Sequence, residues 1–282
     1  MRREDKRKLN IFLRYLLLIA LGIVMTYPLL WMFGASFKTN AELFSSASII
    51  PYQPTLDGYR NGYKGYEGMT LFHFMGNTYK FVIPKVIVTV ISATITAYGF
   101  ARFQFVGKRI FFAILLSTLF LPQVVLNAPQ YILFNEVGWL NSYLPIVIPS
   151  ALAGDTFFVY MLIQFLRGIP RELEEAAVID GCTPFMAFWR IVFPLLMPSI
   201  SAVVILNGFG IWNNYSQAVF FLQSSAKHNV PQALSVYFQQ FAGAKWNLMA
   251  ATAVIAIVPV VVIFLIFQKS LMKGLTEGAI KG

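Results

Sequence analysis

The sequence predicts an all-α polytopic membrane protein with six transmembrane helices, on three observations. Hydrophobic residues make up 57% of the 282 and charged residues only 12%, with a mean hydropathy of +0.65, which is too apolar and charge-poor for a water-solvated domain. The apolar residues gather into six runs, about 11–37, 81–101, 110–134, 143–166, 199–222 and 246–268, each near the roughly 20 residues that a ~30 Å hydrocarbon core asks of a helix. None has the short alternating pattern of a barrel strand, and a lipid-exposed backbone must satisfy its own hydrogen bonds.

Residues 1–10 are basic and read as a cytoplasmic N-terminus. The run that follows begins like a secretory signal, but 15–37 is free of charge, long enough to span, and passes through Trp31, Met32 and Phe33 without a small-residue cleavage site. Segment 11–37 is therefore predicted to be an uncleaved first helix. Residues 38–80 form the longest polar connection, punctuated by Pro51, Pro54, Gly58, Gly62, Gly65 and Gly68, and read as an ordered extracytoplasmic loop rather than a separate domain. Residues 81–268 form the core with five further spans and a loop at 167–198, and 269–282 a polar tail. No internal repeat divides the chain, so one domain is expected.

Orientation follows from the cations. With the N-terminus inside, Arg2, Arg3, Lys6, Arg7, Lys8, Arg14, Arg102, Lys108, Arg109, Arg167, Arg171, Arg190, Lys269, Lys273 and Lys281 are cytoplasmic. Only Lys38, Arg60, Lys64, Lys80, Lys85, Lys227 and Lys245 then fall outside. This bias places both termini in the cytoplasm, and it accounts for the net charge of +10 without a nucleic-acid partner. The lone cysteine, Cys182, cannot form an internal disulfide.

The segment 167–198, RGIPRELEEAAVIDGCTPFMAFWRIVFPLLMP, is amphipathic. Pro170 suits a helix's first turn, while Glu172, Glu174 and Glu175 complement its positive end and Ala176 and Ala177 favour it. Gly181 permits a sharp break. Thr183 can cap a second short helix with Pro184 at its first position, and Phe185, Phe188, Ile191 and Val192 give that helix an apolar face. Two short helices at a membrane surface form a knob that can fill a groove on another protein.

Glu175-Ala176-Ala177, Asp180-Gly181, Phe188, Ile191 and Pro194 resemble the EAA loop of binding-protein-dependent ABC import permeases. The likeness extends to Asn77-Thr78, to Ala97-Tyr98-Gly99-Phe100-Ala101-Arg102, and to Leu121-Pro122 through Pro129, Tyr131 and Gly138, which are similar to the sugar-importer branch and its maltose-type inner-membrane subunit. The tail residues Lys273, Gly274 and Glu277 lie in a stretch that resembles that subunit's C-terminus. Cys182 stands where an alanine is usual, and Asn213-Asn214-Tyr215 departs from the more common Trp-Asn-Asp-Phe pattern. The resemblance implies the six-helix type I ABC importer permease fold in a bacterial cytoplasmic (inner) membrane. It implies that the loop docks as a coupling helix on an ATPase dimer, with Glu175 approaching a basic residue and the tail reaching into that dimer. It further implies a second homologous permease subunit, an extracytoplasmic solute-binding protein, a carbohydrate as cargo, and no cofactor on this chain, with ATP and Mg on the partner ATPase.

Within the spans, Asp155 lies in the fourth run, where a lipid-exposed carboxylate costs about 2.5–3.5 kcal/mol, so it should face the bundle interior. It reads either as an acceptor for sugar hydroxyls or as a satisfied interhelical or outer-mouth carboxylate. Trp212, Asn213 and Asn214, with Gln123 and Asn127 between Pro122 and Pro129, are candidates for a substrate cavity, because amides and aromatic rings suit a polyhydroxylated ligand. Asn207 reads as interhelical glue. His73 and His228 lack ligand spacing for a metal. Gly107-Lys108-Arg109 lacks the glycine spacing and hydroxyl of a phosphate loop, so the chain is not expected to hydrolyse ATP. The alternative to ABC import is an ion-coupled secondary transporter, for which Asp155 is the support.

Overall fold

The computed structural model describes the backbone over 3–241 and 245–279, and side chains over 10–239 and 245–268 and at Arg7. In chain order the helices are α1 (Arg3–Ala35), α2 (Asn40–Ser45), α3 (Asp57–Gly62), α4 (Leu71–Arg102), α5 (Lys108–Thr118), α6 (Gln123–Glu136), α7 (Leu144–Ala151) and α8 (Thr156–Arg167). They continue with α9 (Glu172–Ile179), α10 (Pro184–Ala187), α11 (Phe193–Trp212), α12 (Ser216–Phe221), α13 (Val230–Phe241) and α14 (Trp246–Ala279). Among the described residues five segments are long and apolar enough to cross a membrane, and a bent pair supplies a sixth.

Three of the expected spans are broken, each for a local reason. The third run is two helices, α5 and α6, bent by 105°, because Pro122 caps α6 and cannot donate a backbone hydrogen bond. The fourth run breaks between α7 and α8, where Ala153 takes φ +60° and Gly154 N folds back onto Pro149 O at 2.9 Å. The fifth begins earlier than 199 and stops at Trp212, running Pro184–Trp212. Asn214 Oδ1 accepts from Gln217 N at 3.0 Å, a side-chain cap that starts α12 as a separate helix.

The fold divides into two compact units, Met1–Leu71 with Leu234–Ile257, and Phe72–Ala233 with Val258–Gly282. In the first, α1 leaves Leu16, Leu17, Leu18 and Ile19 exposed, a surface suited to lipid or another protein rather than water. The loop after it is tightly held. Buried Lys38 donates to Ser46 O and Ser48 O at 3.3 and 2.5 Å, and Glu42 accepts from the backbone N–H of Tyr52 and Gln53. Tyr237 donates to Gly62 O at 2.8 Å. A Cβ on Gly58 would lie 2.8 Å from Asn247 O, so only glycine allows α3 to approach the start of α14 this closely. Buried polar groups on that segment find partners within it, as an ordered loop requires.

The second unit is built on a core that draws Ala93, Ala97 and Ala101 of α4 together with Val159, Leu162, Ile163 and Leu166 of α8 and Val192, Leu196 and Val203 further on. The three alanines recur every fourth residue, the small-residue spacing that lets membrane helices approach closely. A second cluster gathers Phe81, Phe134, Ile146 and Phe221. Within it the rings of Phe134 and Trp139 stack at 5.7 Å.

Candidate functional site

The loop between the fourth and fifth spans is a bent helical knob with one face inward and one outward. α9 starts at Glu172, with Arg171 as its cap residue: Arg171 O accepts from Glu174 N and Glu175 N at 2.9 and 3.0 Å. Pro170 therefore lies just ahead of the helix and not in its first turn. α9 ends in a Schellman arrangement, with Gly181 N donating to Val178 O at 3.0 Å and Cys182 N to Ala177 O at 2.9 Å. The turn requires Gly181 at φ +87°, where a side chain is disfavoured. Thr183 Oγ1 then accepts from Met186 N at 3.3 Å, capping α10 with Pro184 at its first position.

α10 is not the free-standing second helix expected from sequence. A π-turn, Phe188–Val192, joins it to α11, with Phe193 N donating to Phe188 O. Pro194, next in line, has no N–H, and its ring would press on the Arg190 carbonyl in a regular helix, so the wider turn relieves it. The proposed apolar face is also divided. Phe188 and Val192 are buried and Ile191 half-buried, but Phe185 is 71% exposed.

One acid fixes the knob to the rest of the unit. Glu174 Oε1 accepts from Arg102 Nε at 2.5 Å and Oε2 from Tyr98 Oη at 2.8 Å. Arg102 Nη2 donates to Ile169 O and Arg171 Nη2 to Ala101 O, both at 3.0 Å. The loop is thus clamped to the C-terminal end of α4 by a largely buried ion pair and two backbone contacts. Glu175, Ala176, Asp180 and Gly181 face outward, while Ala177 is buried. Beside them Leu173, Val178, Ile179, Phe185 and Trp189 are exposed, an apolar patch flanked by acids that marks an interaction surface. A groove of about 280 Å³ runs between Tyr98, Glu175, Ile179 and Pro184.

The polar residues of the spans do not gather in one place. Asp155, at the break between α7 and α8, is ion-paired with Lys85 of α4 at 3.4 Å and accepts from Thr89 Oγ1 at 2.5 Å. Lys85, assigned to the outside by charge counting, is instead buried within α4, because a buried carboxylate needs a nearby opposite charge. Asn127, 1% exposed, donates to Ser216 Oγ at 3.3 Å, and its Oδ1 has no partner among the described residues. Asn214 is occupied in capping and bridging: Nδ2 meets Gln217 Oε1 at 2.6 Å, and its carbonyl accepts from Asn229 Nδ2 at 2.7 Å. Asn213 Nδ2 turns back to Phe209 O at 2.9 Å, Gln123 reaches only Gln130, and Trp212 packs edge-on against Tyr79 at 5.1 Å. Asn207 is buried, with its Nδ2 without a partner among the described residues. The tail residues Lys273, Gly274 and Glu277 lie outside the residues whose side chains are described. Among the described residues no three histidines, cysteines or acids come together as a metal site.

The sequence reading missed Glu174, Tyr98 and Arg102 as a clamp, and Lys85 as the partner of Asp155. The signal was available for the second, since Lys85 and Asp155 are a single cation and a single anion inside two apolar runs.

Residues 93–277 match the family model described as "Binding-protein-dependent transport system inner membrane component". The chain is 31% identical to the "Arabinooligosaccharides transport system permease protein AraQ" of Halalkalibacterium halodurans, over 98% of this chain and 100% of that protein. It is also 31% identical to the "Galactooligosaccharides transport system permease protein GanQ" of Bacillus subtilis, over 98% of each. Identity to the "Trehalose transport system permease protein SugB" of Mycobacterium tuberculosis is 30%, over 90% of this chain and 92% of that one. The fold matches a chain of a bacterial ABC transporter "involved in the import of the acidic polysaccharide alginate", with a TM-score of 0.81, 21% identity, and coverage of 96% of this chain and 99% of that one.

Proposed function

Since the chain belongs to the binding-protein-dependent transport system inner membrane components, we propose that it carries an oligosaccharide across the membrane, driven through the 167–198 loop. The protein is a multi-pass inner-membrane permease subunit of an ABC importer and is not itself the ATPase. The finer reading is that both termini are cytoplasmic and that α9, Gly181 and α10 dock on a separate ATPase dimer. A second homologous permease subunit completes the pore, and an extracytoplasmic binding protein delivers the sugar. The relatives named for arabino-oligosaccharides, galacto-oligosaccharides and trehalose support a carbohydrate cargo.

The observation that carries the reading is the division of labour on α9. Glu174 faces inward and ties the loop to α4, while Glu175, Ala176 and Asp180 beside the exposed Ile179 and Phe185 face outward. A docked ATPase that closes on ATP would move this knob, and the clamp would pass the motion to the spans. Substrate contact is assigned to Asn213 and to Gln123 at the mouth of the bend, both exposed, while Asn127 and Trp212, buried in this state, would reach substrate only once the spans move apart. Asn214 and Asp155 line the route through their partners.

The test uses the assembled complex in proteoliposomes with its binding protein and a panel of glycans. Gly181→Asp should insert and assemble, yet lose stimulation of ATP hydrolysis by the loaded binding protein. Normal stimulated turnover in that variant removes the loop from the coupling role, and uptake of none of the glycans by the unaltered complex removes the carbohydrate assignment.

A further inference from the structure

The middle of α4 carries a polar row where a membrane helix is expected to be apolar. Lys85, Thr89 and Ser92 all reach the broken fourth span: Lys85 Nζ and Thr89 Oγ1 contact Asp155, and Ser92 Oγ donates to Ser150 O at 2.6 Å. The same i, i+4 row continues as Ala93, Ala97 and Ala101, which share one buried cluster with Val159, Leu162, Ile163 and Leu166 of α8. One residue past the end of that row, Arg102 is bound to Glu174 and Ile169 O. From Lys85 to Arg102 is about 25 Å at 1.5 Å per residue. α4 is therefore joined by an ion pair to the start of α8 and by a second to α9 just beyond its end, with a close small-residue core against α8 between them.

We infer that Lys85 and Asp155 are positioning residues that fix the outer end of α8 to α4, so that α4, α8 and α9 move as one lever from the coupling loop to the break in the fourth span. The inference rests on the coupling reading above. The break at 152–155 would otherwise be the soft point of the lever. It has a non-glycine residue at φ +60°, and its exposed Leu152 packs little. An ion pair that is 8% and 22% exposed on its two sides is costly to open, because each separated charge would be left desolvated. With the pair intact, a displacement imposed at α9 reaches Asp155 undiminished. Without it, α8 can pivot at the break and the motion is lost before the outer half of the span.

The test uses the complete complex in lipid nanodiscs, on a Cys182→Ala background, with spin labels at Ile87→Cys on α4 and Phe157→Cys on α8, both exposed in this chain. In the unaltered pair the label distance should be the same without nucleotide and after trapping with ATP and vanadate. Lys85→Met/Asp155→Asn removes both charges and so leaves no lone buried ion. That variant should show a second or displaced distance on trapping, and stimulation of ATPase activity by the loaded binding protein should fall about tenfold relative to basal activity, within the usual range of coupling free energies. The exchanged pair Lys85→Asp/Asp155→Lys should restore both readouts. An unchanged single distance with full stimulation in the neutral variant overturns the inference while leaving the loop's role intact. Loss of assembly in the neutral variant without rescue by the exchanged pair also overturns it, by making the pair a folding requirement alone. Normal stimulation in Gly181→Asp overturns the coupling reading itself.

Discussion

Glu174 and Glu175 are adjacent glutamates whose removal should have opposite consequences. Glu174→Ala deletes the carboxylate that pairs with Arg102 and accepts from Tyr98, and both side chains of the pair are largely buried, at 8% and 15% exposure. Removing one partner of a buried pair costs about 3–5 kcal/mol. Arg102 keeps its bond to Ile169 O, so the lower end, about 3 kcal/mol, applies. At about 2–4 °C per kcal/mol for a chain of this size, the melting midpoint should fall by about 6–12 °C. Glu175→Ala removes an outward carboxylate, and a surface change of this kind shifts stability by no more than about 0.5 kcal/mol. Its loss should appear in ATPase stimulation instead. The assay is thermal unfolding of the detergent-solubilised complex followed by size exclusion, with stimulated ATP hydrolysis measured on the same preparations. The double variant Arg102→Met/Glu174→Leu should recover much of the lost midpoint, because two apolar groups replace the pair without stranding a charge. If Glu174→Ala melts with the unaltered protein, or Glu175→Ala melts far below it, the inward and outward assignment of the two acids is wrong.

Gly154→Ala should destabilise by about 1–3 kcal/mol through overpacking, since the added Cβ would lie 2.6 Å from the Pro149 carbonyl; a melting midpoint equal to wild type would contradict the tight turn between α7 and α8. Gly181→Ala meets no atom within 4 Å, so its cost is the backbone alone, about 1 kcal/mol, and it should keep more stimulated activity than Gly181→Asp. Thr183→Ala should cost about 1 kcal/mol by loss of the cap on α10, and Thr183→Ser should restore the midpoint. Tyr66, in the loop before α4, has its phenol pKa raised by burial first and then by the Glu67 carboxylate. Its contribution is therefore fully present below the unfolded value near pH 10 and is lost as pH climbs above it toward the folded value. Tyr66→Phe should flatten the alkaline limb of the melting curve, and an unchanged limb would place the titrating group elsewhere.

The parts of this chain that could be read from its sequence are those set by local rules. A span needs about twenty apolar residues, a Schellman end needs its glycine, and a cap needs its threonine, so 246–268, Gly181 and Thr183 could be placed without a structure. Helix breaks were harder. The run 110–134 carries no charge and reads as one span, yet it bends by 105°, and hydropathy is blind to direction. Pro122 and Pro129 hinted at an opened helix without fixing its angle. The π-turn at Phe188–Val192 could not be anticipated from periodicity, because the turn shifts the register that periodicity relies on.

The pairing of charges shows the limit most clearly. Counting cations per loop is a statistical rule about segments, and it assigned Lys85 to the outside although that residue lies inside an apolar run. A different argument gives the right place. A lone carboxylate within one span is tolerable only if a cation in another span neutralises it, and Lys85 is the one lysine or arginine within the 81–101 run before Arg102. The same reasoning could not choose Glu174 over Glu175, since both follow Arg171 within one turn of helix and only the packing of Ala177 and Phe188 decides which faces α4. Side-chain direction on a helix is fixed to within about 100° by sequence spacing, but which arc faces inward depends on what the rest of the chain brings against it. For that reason the clamp, unlike the loop that it holds, required the structure.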